Sequence, residues 1–273
     1  MLPDFLIIGA MKAGTTSLFR WLEVHPECAL PKLKEPDFFS DEVNWARGTA
    51  WYRSLFTATE GFVTGEASTS YTDVKVAHVA AGRIHELLPN IRCIFLVRDP
   101  EERLRSQYRH EVQRHRENRE FSEAVEDIEN EYVMRSMYWK CIQPYTEYFS
   151  RDQICVVHFE DLFFPPYSGW NQVLSHLFLR YVDVPLTVHN TSANKERFTR
   201  PMLYMWERGW LKGMKWVPSI LRRAGKRLVM RNDQQYRSLM RSSIEDPVPA
   251  EILRILNQDW ERFEDWSSSG TIA

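Results

Sequence analysis

Apolar residues gather at Phe5–Ile8, thin out across a stretch holding Gly9 and Gly14, and return as Leu18, Phe19 and Leu22 at helical spacing. A short apolar run, a glycine loop and a 3.6-residue period predict strand, turn and helix, the helix running from Thr16 to about His25. The prolines and charges of residues 30–40 predict an irregular segment, and Trp51 to Phe56 a short helix. Phe62 to Glu66 reads as a second strand, Ala77 to Leu88 as an amphipathic helix closed by Pro89, and Ile91 to Val97 as a core strand ending in Arg98. Helices are expected from Glu101 to about Arg116, Tyr132 to Phe149, Trp170 to Leu179 and Glu251 to Trp266, with a strand at Ile154 to His158. Strands alternating with helices predict an α/β fold built on a parallel sheet covered on both faces. Ligands of such sheets bind beyond the carboxyl ends of the strands, which puts the glycine loop, Glu66, Arg98 and Glu160 along one edge.

At 273 residues and 44% hydrophobic content the chain can bury a large core, and no linker or repeat divides it. One domain over residues 1–273 is expected, with 200–245 as a lid or acceptor-binding insertion, a solvated helical hairpin or a membrane-surface patch. Net charge is −2, so no general affinity for nucleic acid is expected and a polyanion must be held by local clusters. The longest apolar run is too short to span a bilayer. A cytoplasmic protein is expected or, alternatively, a Golgi-lumen catalytic domain whose anchor has been removed. The four cysteines have no metal-ligand spacing and read as reduced and structural. Oligomeric state is not readable.

The loop's chemistry narrows the function. Gly9 and Gly14 let the backbone curl round an anion, and the amides opening the helix at Thr15, Thr16 and Ser17 face it with the positive end of the dipole. The Gly9-to-Gly14 frame is that of a triphosphatase loop. Thr15, however, stands where the lysine would be, and Lys12 lies inside the loop. Further on, Arg98-Asp99-Pro100 closes a strand and Ser106 follows on the next helix, so a guanidinium and a hydroxyl can meet one phosphate. Between them lies Lys34-Glu35-Pro36-Asp37-Phe38-Phe39.

These three segments together resemble the sulfotransferases that use 3′-phosphoadenosine 5′-phosphosulfate, in the branch containing heparan sulfate enzymes and soluble bacterial relatives. The likeness covers roughly residues 3–165 and implies a P-loop-like three-layer α/β fold with a helical C-terminal region. It implies that Lys12, Ala13, Gly14, Thr15, Thr16 and Ser17 hold the 5′-phosphosulfate and that Arg98 and Ser106 hold the 3′-phosphate. It also implies that Glu35 is the general base, that Lys12 stabilises the leaving phosphate, and that Lys195 and Arg197 belong to a late basic loop over the nucleotide. The acceptor is then a hydroxyl of unknown class, and these residues require no metal. Ala67 stands where the heparan enzymes carry lysine, and Asp37 and Ser40 where they carry histidine and aspartate, which weakens the case for a glycosaminoglycan acceptor. A P-loop kinase or triphosphatase and a non-catalytic nucleotide-binding protein are the other readings.

Overall fold

A computed structural model of the chain describes residues 1–57, 61–183 and 233–269. Its centre is four parallel strands, β1 (Phe5–Gly9), β2 (Gly65–Ala67), β3 (Arg92–Val97) and β4 (Ile154–His158), in the order β2-β1-β3-β4. Apart from the end residues Arg92 and His158 every strand position is buried, as expected of strands that read as unbroken apolar runs. After β1 the chain adds β2 on one side and then crosses to β3 on the other. The strand order therefore reverses next to β1, and the crevice beyond the carboxyl ends of β1 and β3 is the place where such a sheet receives a ligand.

Helices flank the sheet. The main core joins the strands to α1 (Thr15–Glu23), α4 (Ala77–Leu87), α8 (Tyr138–Thr146) and α10 (Ser168–His176), with Trp21, Ile84, Tyr145 and Trp170 buried among them. Two short helices, α2 (Glu42–Trp45) and α3 (Gly48–Ser54), lie between α1 and β2. A second apolar cluster gathers α5 (Pro100–Gln113), α6 (Phe121–Ala124), α7 (Glu131–Met134), α11 (Asp233–Glu245) and the long α12 (Ala250–Ser268) around Leu104, Tyr108 and Leu256. α12 belongs to both, since its Phe263 enters the main core. A further short helix, α9 (Phe159–Phe163), follows β4 directly.

Some expected boundaries move. Only Gly65–Ala67 pairs with β1, while Val63 makes an isolated bridge to Cys28. The single helix expected over 132–149 is two, α7 and α8, parted at Arg135–Met137, where Asp259 of α12 caps the new helix by accepting from the amides of Trp139 and Lys140 at 2.8 and 3.1 Å. All four cysteines are buried free thiols. Lys195, Arg197 and residues 200–232 of the expected insertion lie outside the described residues. Among the described residues no helix is long and apolar enough to cross a membrane.

Candidate active site

The glycine loop is fixed by what surrounds it. The amide of Ala10 donates to Leu96 O of β3 at 2.8 Å, carrying the end of β1 along its neighbour, and the Thr72 hydroxyl donates to Ile8 O at 3.0 Å. A Cβ on Gly9 would lie 2.2 Å from that hydroxyl oxygen, so only glycine lets the chain pass. Lys12 takes the left-handed conformation at φ 72° and Gly14 at φ 98°, a costly region for residues with a Cβ. At Gly14 a Cβ would also meet the Phe163 ring at 2.5 Å. α1 then starts with Gly14 at its N-cap, a residue with no side chain to cap the first amides, and the Ser17 amide turns back to Gly14 O at 3.0 Å. Serine or aspartate there would satisfy those amides; glycine leaves them for an anion from outside.

Arg98 follows β3, the strand paired with β1, so it stands at the same sheet edge as the loop. Its amide donates to the Tyr138 hydroxyl at 3.3 Å. Its guanidinium stands 4.7 Å from the centre of the Phe159 ring and donates weakly to Glu102 at 3.3 Å. Its Nε is buried and has no hydrogen-bond partner among the described residues. A buried donor without an acceptor costs free energy, and an anion in the crevice would supply one. Ser106 is buried on α5, whose start is capped by Asp99 accepting from the Glu102 amide at 2.8 Å.

Glu35 sits in the loop after α1, exposed and ion-paired with Lys34. That loop lies against the exit of β2. The Ala67 amide donates to Lys34 O at 3.2 Å, and the Asp37 amide to the Ser68 hydroxyl oxygen at 3.0 Å. Ser68 in turn reaches Ile7 O of β1 through its own amide at 3.2 Å. Glu35 is thus held at the same sheet edge as the glycine loop. Asp37, at φ 49°, accepts from the Ser70 hydroxyl at 2.5 Å, and burial raises its carboxyl above the usual range.

Glu66, on β2 itself, is fully buried. Tyr71, Ser68 and Tyr52 place their hydroxyls 2.5, 2.9 and 3.3 Å from its oxygens, and burial outweighs them, pushing the group up to about 8. It has no path to an acceptor.

Arg103 carries none of the sequence motifs, yet it braces the loop. Wholly buried on α5, it donates to Met11 O at 3.3 Å, Gln107 at 2.5 Å, Tyr132 O at 2.9 Å and Ser136 at 2.8 Å. Burial lowers it to about 10, with no carboxylate among its hydrogen-bond partners to offset the cost. One sequence signal was available: Arg103 and Gln107, one helical turn apart, directly precede the apolar pair Leu104 and Tyr108 and so border the core-facing stripe. Beside Met11, between α5 and α7, opens a polar cavity of about 400 Å³ lined by Gln107, Arg116, Arg119, Asn130 and Arg135 among others.

A phosphate-type loop, a helix opening on glycine and a half-buried arginine at the switch point of a parallel sheet define a class of anion-binding α/β proteins. The family model for the sulfotransferase domain matches residues 2–197, and the chain belongs to that family. Mouse heparan sulfate glucosamine 3-O-sulfotransferase 3A1 is 30% identical over 190 residues, covering 66% of this chain and 47% of its own length. The membrane-associated sulfotransferase kil1 of Dictyostelium discoideum is 38% identical over 116 residues, 41% of this chain and 24% of its own. The chain thus spans about half the length, or less, of these curated relatives. A sulfotransferase crystal structure from Alicyclobacillus acidocaldarius shares the fold, with a TM-score of 0.58 and 23% identity over 88% of this chain and 96% of that one.

Proposed function

We propose that this chain transfers a sulfuryl group from 3′-phosphoadenosine 5′-phosphosulfate to a hydroxyl of a polar, sugar-like acceptor. One juxtaposition carries the reading: a helix N-terminus opening on glycine and the buried Nε of Arg98, which has no partner among the described residues, at the ends of adjacent strands. Two anionic groups on one ligand suit that pair better than one. Bound there, the nucleotide supplies an activated sulfuryl group on a good phosphate leaving group.

The chain's own residues divide the work. The amides of Gly14 to Ser17 and the Lys12 ammonium would hold the 5′-phosphosulfate, and Lys12 would offset charge developing on the departing phosphate. Arg98 and Ser106 would hold the 3′-phosphate, the guanidinium acting as a permanently charged clamp. Glu35 would accept the acceptor's proton as its oxygen closes on sulfur. Lys195 and Arg197 are retained as residues over the nucleotide. The reacting hydroxyl would lie between Glu35 and the loop, and the cavity beside Met11 would take further polar groups of the acceptor. Its lining is mostly charged and amide side chains, with Tyr132 its one aromatic ring among the described residues, which favours a polyhydroxylated molecule over a steroid or phenol. The heparan sulfate relatives point the same way.

Calorimetric titration with 3′,5′-ADP in the absence of Mg²⁺ tests this. The expectation is tight binding, weakened in Arg98→Ala by about 10-fold or more, the cost of one charge-assisted hydrogen bond. Preference for Mg·ATP over 3′,5′-ADP would instead make the chain a P-loop kinase or triphosphatase.

A further inference from the structure

Glu66 is an anomaly in a protein whose other acids mostly face water. A carboxyl group with no exposed surface is costly, and its natural rationale at a sheet edge is catalysis, which its burial forbids. What it touches gives it another role. Each of its three hydroxyl partners also contacts the segment that follows Glu35. Ser68 receives the backbone N–H of Asp37 at 3.0 Å. Tyr52 stacks on Phe38, ring centres 4.4 Å apart and planes within 8°. Tyr71 meets Phe39 edge-on at 5.5 Å. On the other side of Glu35, Lys34 O is held by the amide of Ala67, the residue next to Glu66.

We propose that Glu66 and Ser68 are positioning residues for Glu35: Glu66 locks three hydroxyl-bearing side chains, and these fix residues 37–39 so that the Glu35 carboxylate stands at the reacting edge. This rests on Glu35 being the base. The arrangement explains why an exposed glutamate in a loop can hold a productive place. Its neighbours at 34 and 37 are bonded to consecutive residues of the β2 exit, leaving little backbone freedom between them. The Asn44 side chain adds a third tether by donating to Pro36 O at 3.0 Å. Asp37 completes the turn in a left-handed conformation, which aspartate tolerates better than most residues. Position rather than charge is what Glu66 supplies. The hydroxyls around it can donate or accept, so a neutral group of the same shape keeps the network.

A double-mutant cycle with saturating acceptor and nucleotide tests the proposal. Ser68→Ala removes the bridge to Asp37 and lowers kcat by up to about 10²-fold, the scale of a misplacement near 1 Å. Its affinity for 3′,5′-ADP stays within about two-fold of wild type. Glu66→Gln, which preserves shape and an acceptor oxygen, keeps kcat within about ten-fold. In a Glu35→Gln background Ser68→Ala has no further effect, because the carboxylate it positions is gone. Losses that multiply in the double variant, or a Ser68→Ala enzyme with wild-type kcat beside an impaired Glu35→Gln, would overturn the positioning role alone. Full activity of Glu35→Gln would overturn the base assignment and the positioning role with it. Ser68→Cys, a weak donor and acceptor of similar size, is read in the same way if the alanine variant does not fold.

Discussion

At the scale of single residues, the two glutamates of the sheet edge are opposites. Glu35 is exposed and tethered through its neighbours; Glu66 is sealed among hydroxyls. Removing the basicity of Glu35 while keeping its shape, in Glu35→Gln, lowers kcat by about 10²–10⁴-fold and leaves 3′,5′-ADP affinity unchanged, read by steady-state kinetics and calorimetry. Glu66 has a different signature, in stability. Its folded-state value near 8 lies above the 4.5 of an ordinary glutamate, so the folded chain binds the proton more tightly than the unfolded chain. Stability therefore falls as pH rises from about 4.5 to about 8. Asp259, raised to about 6, acts in the same direction but finishes titrating lower, and His176, lowered to about 4 from 6.5, acts oppositely and also finishes by 6.5. The loss of urea stability between pH 6.5 and 8 is thus assigned chiefly to Glu66, with Asp37 acting in the same direction, and shrinks in Glu66→Gln. The sequence marks Glu66 as a carboxylate at the sheet edge and, through the family resemblance, Glu35 as the base on an irregular segment. It does not show which is buried, because burial depends on Tyr52 and Tyr71 arriving from separate elements.

Elements tell a similar story. β1, β3 and β4 are legible as apolar runs, and so is the helix after the loop, because local period and turn residues decide them. The division of α7 from α8 is not, because its cap comes from Asp259, about 120 residues along the chain. Nor is the brace on the loop, where Arg103 of α5 reaches Met11 O. Sequence motifs select residues that would touch a ligand, whereas these two act on the backbone that carries the ligand's contacts. Asp259→Ala leaves the amides of Trp139 and Lys140 uncapped and lowers stability by about 1–2 kcal/mol in chemical denaturation. Tyr138 at the start of α8 accepts the Arg98 amide, so the same variant loosens 3′,5′-ADP binding modestly while leaving the acceptor side intact.

For the whole molecule, the parallel sheet sets the logic. Its strand order brings the loop after β1, the exit of β2 and the end of β3 to one edge, and each delivers one part of the proposed reaction: anion cradle, base support and arginine clamp. The second cluster is held together by Arg105 of α5, which donates to Ser243 O at 2.9 Å and Asp246 O at 3.1 Å, and is joined to the sheet by α12, whose Phe263 enters the main core. We propose on this basis that the helical C-terminal region belongs to the same domain as the sheet. The most direct test of the central claim is sulfuryl transfer itself. Purified chain is incubated with 3′-phosphoadenosine 5′-phosphosulfate and a panel of glycan, phenol and simple alcohol acceptors, and both products are quantified. The account predicts sulfated glycan and 3′,5′-ADP in equal amounts, with formation of both abolished in Lys12→Ala. Sulfation confined to phenols would contradict the acceptor assignment. No sulfated product from any acceptor, in a chain that instead hydrolyses Mg·ATP, would contradict the function.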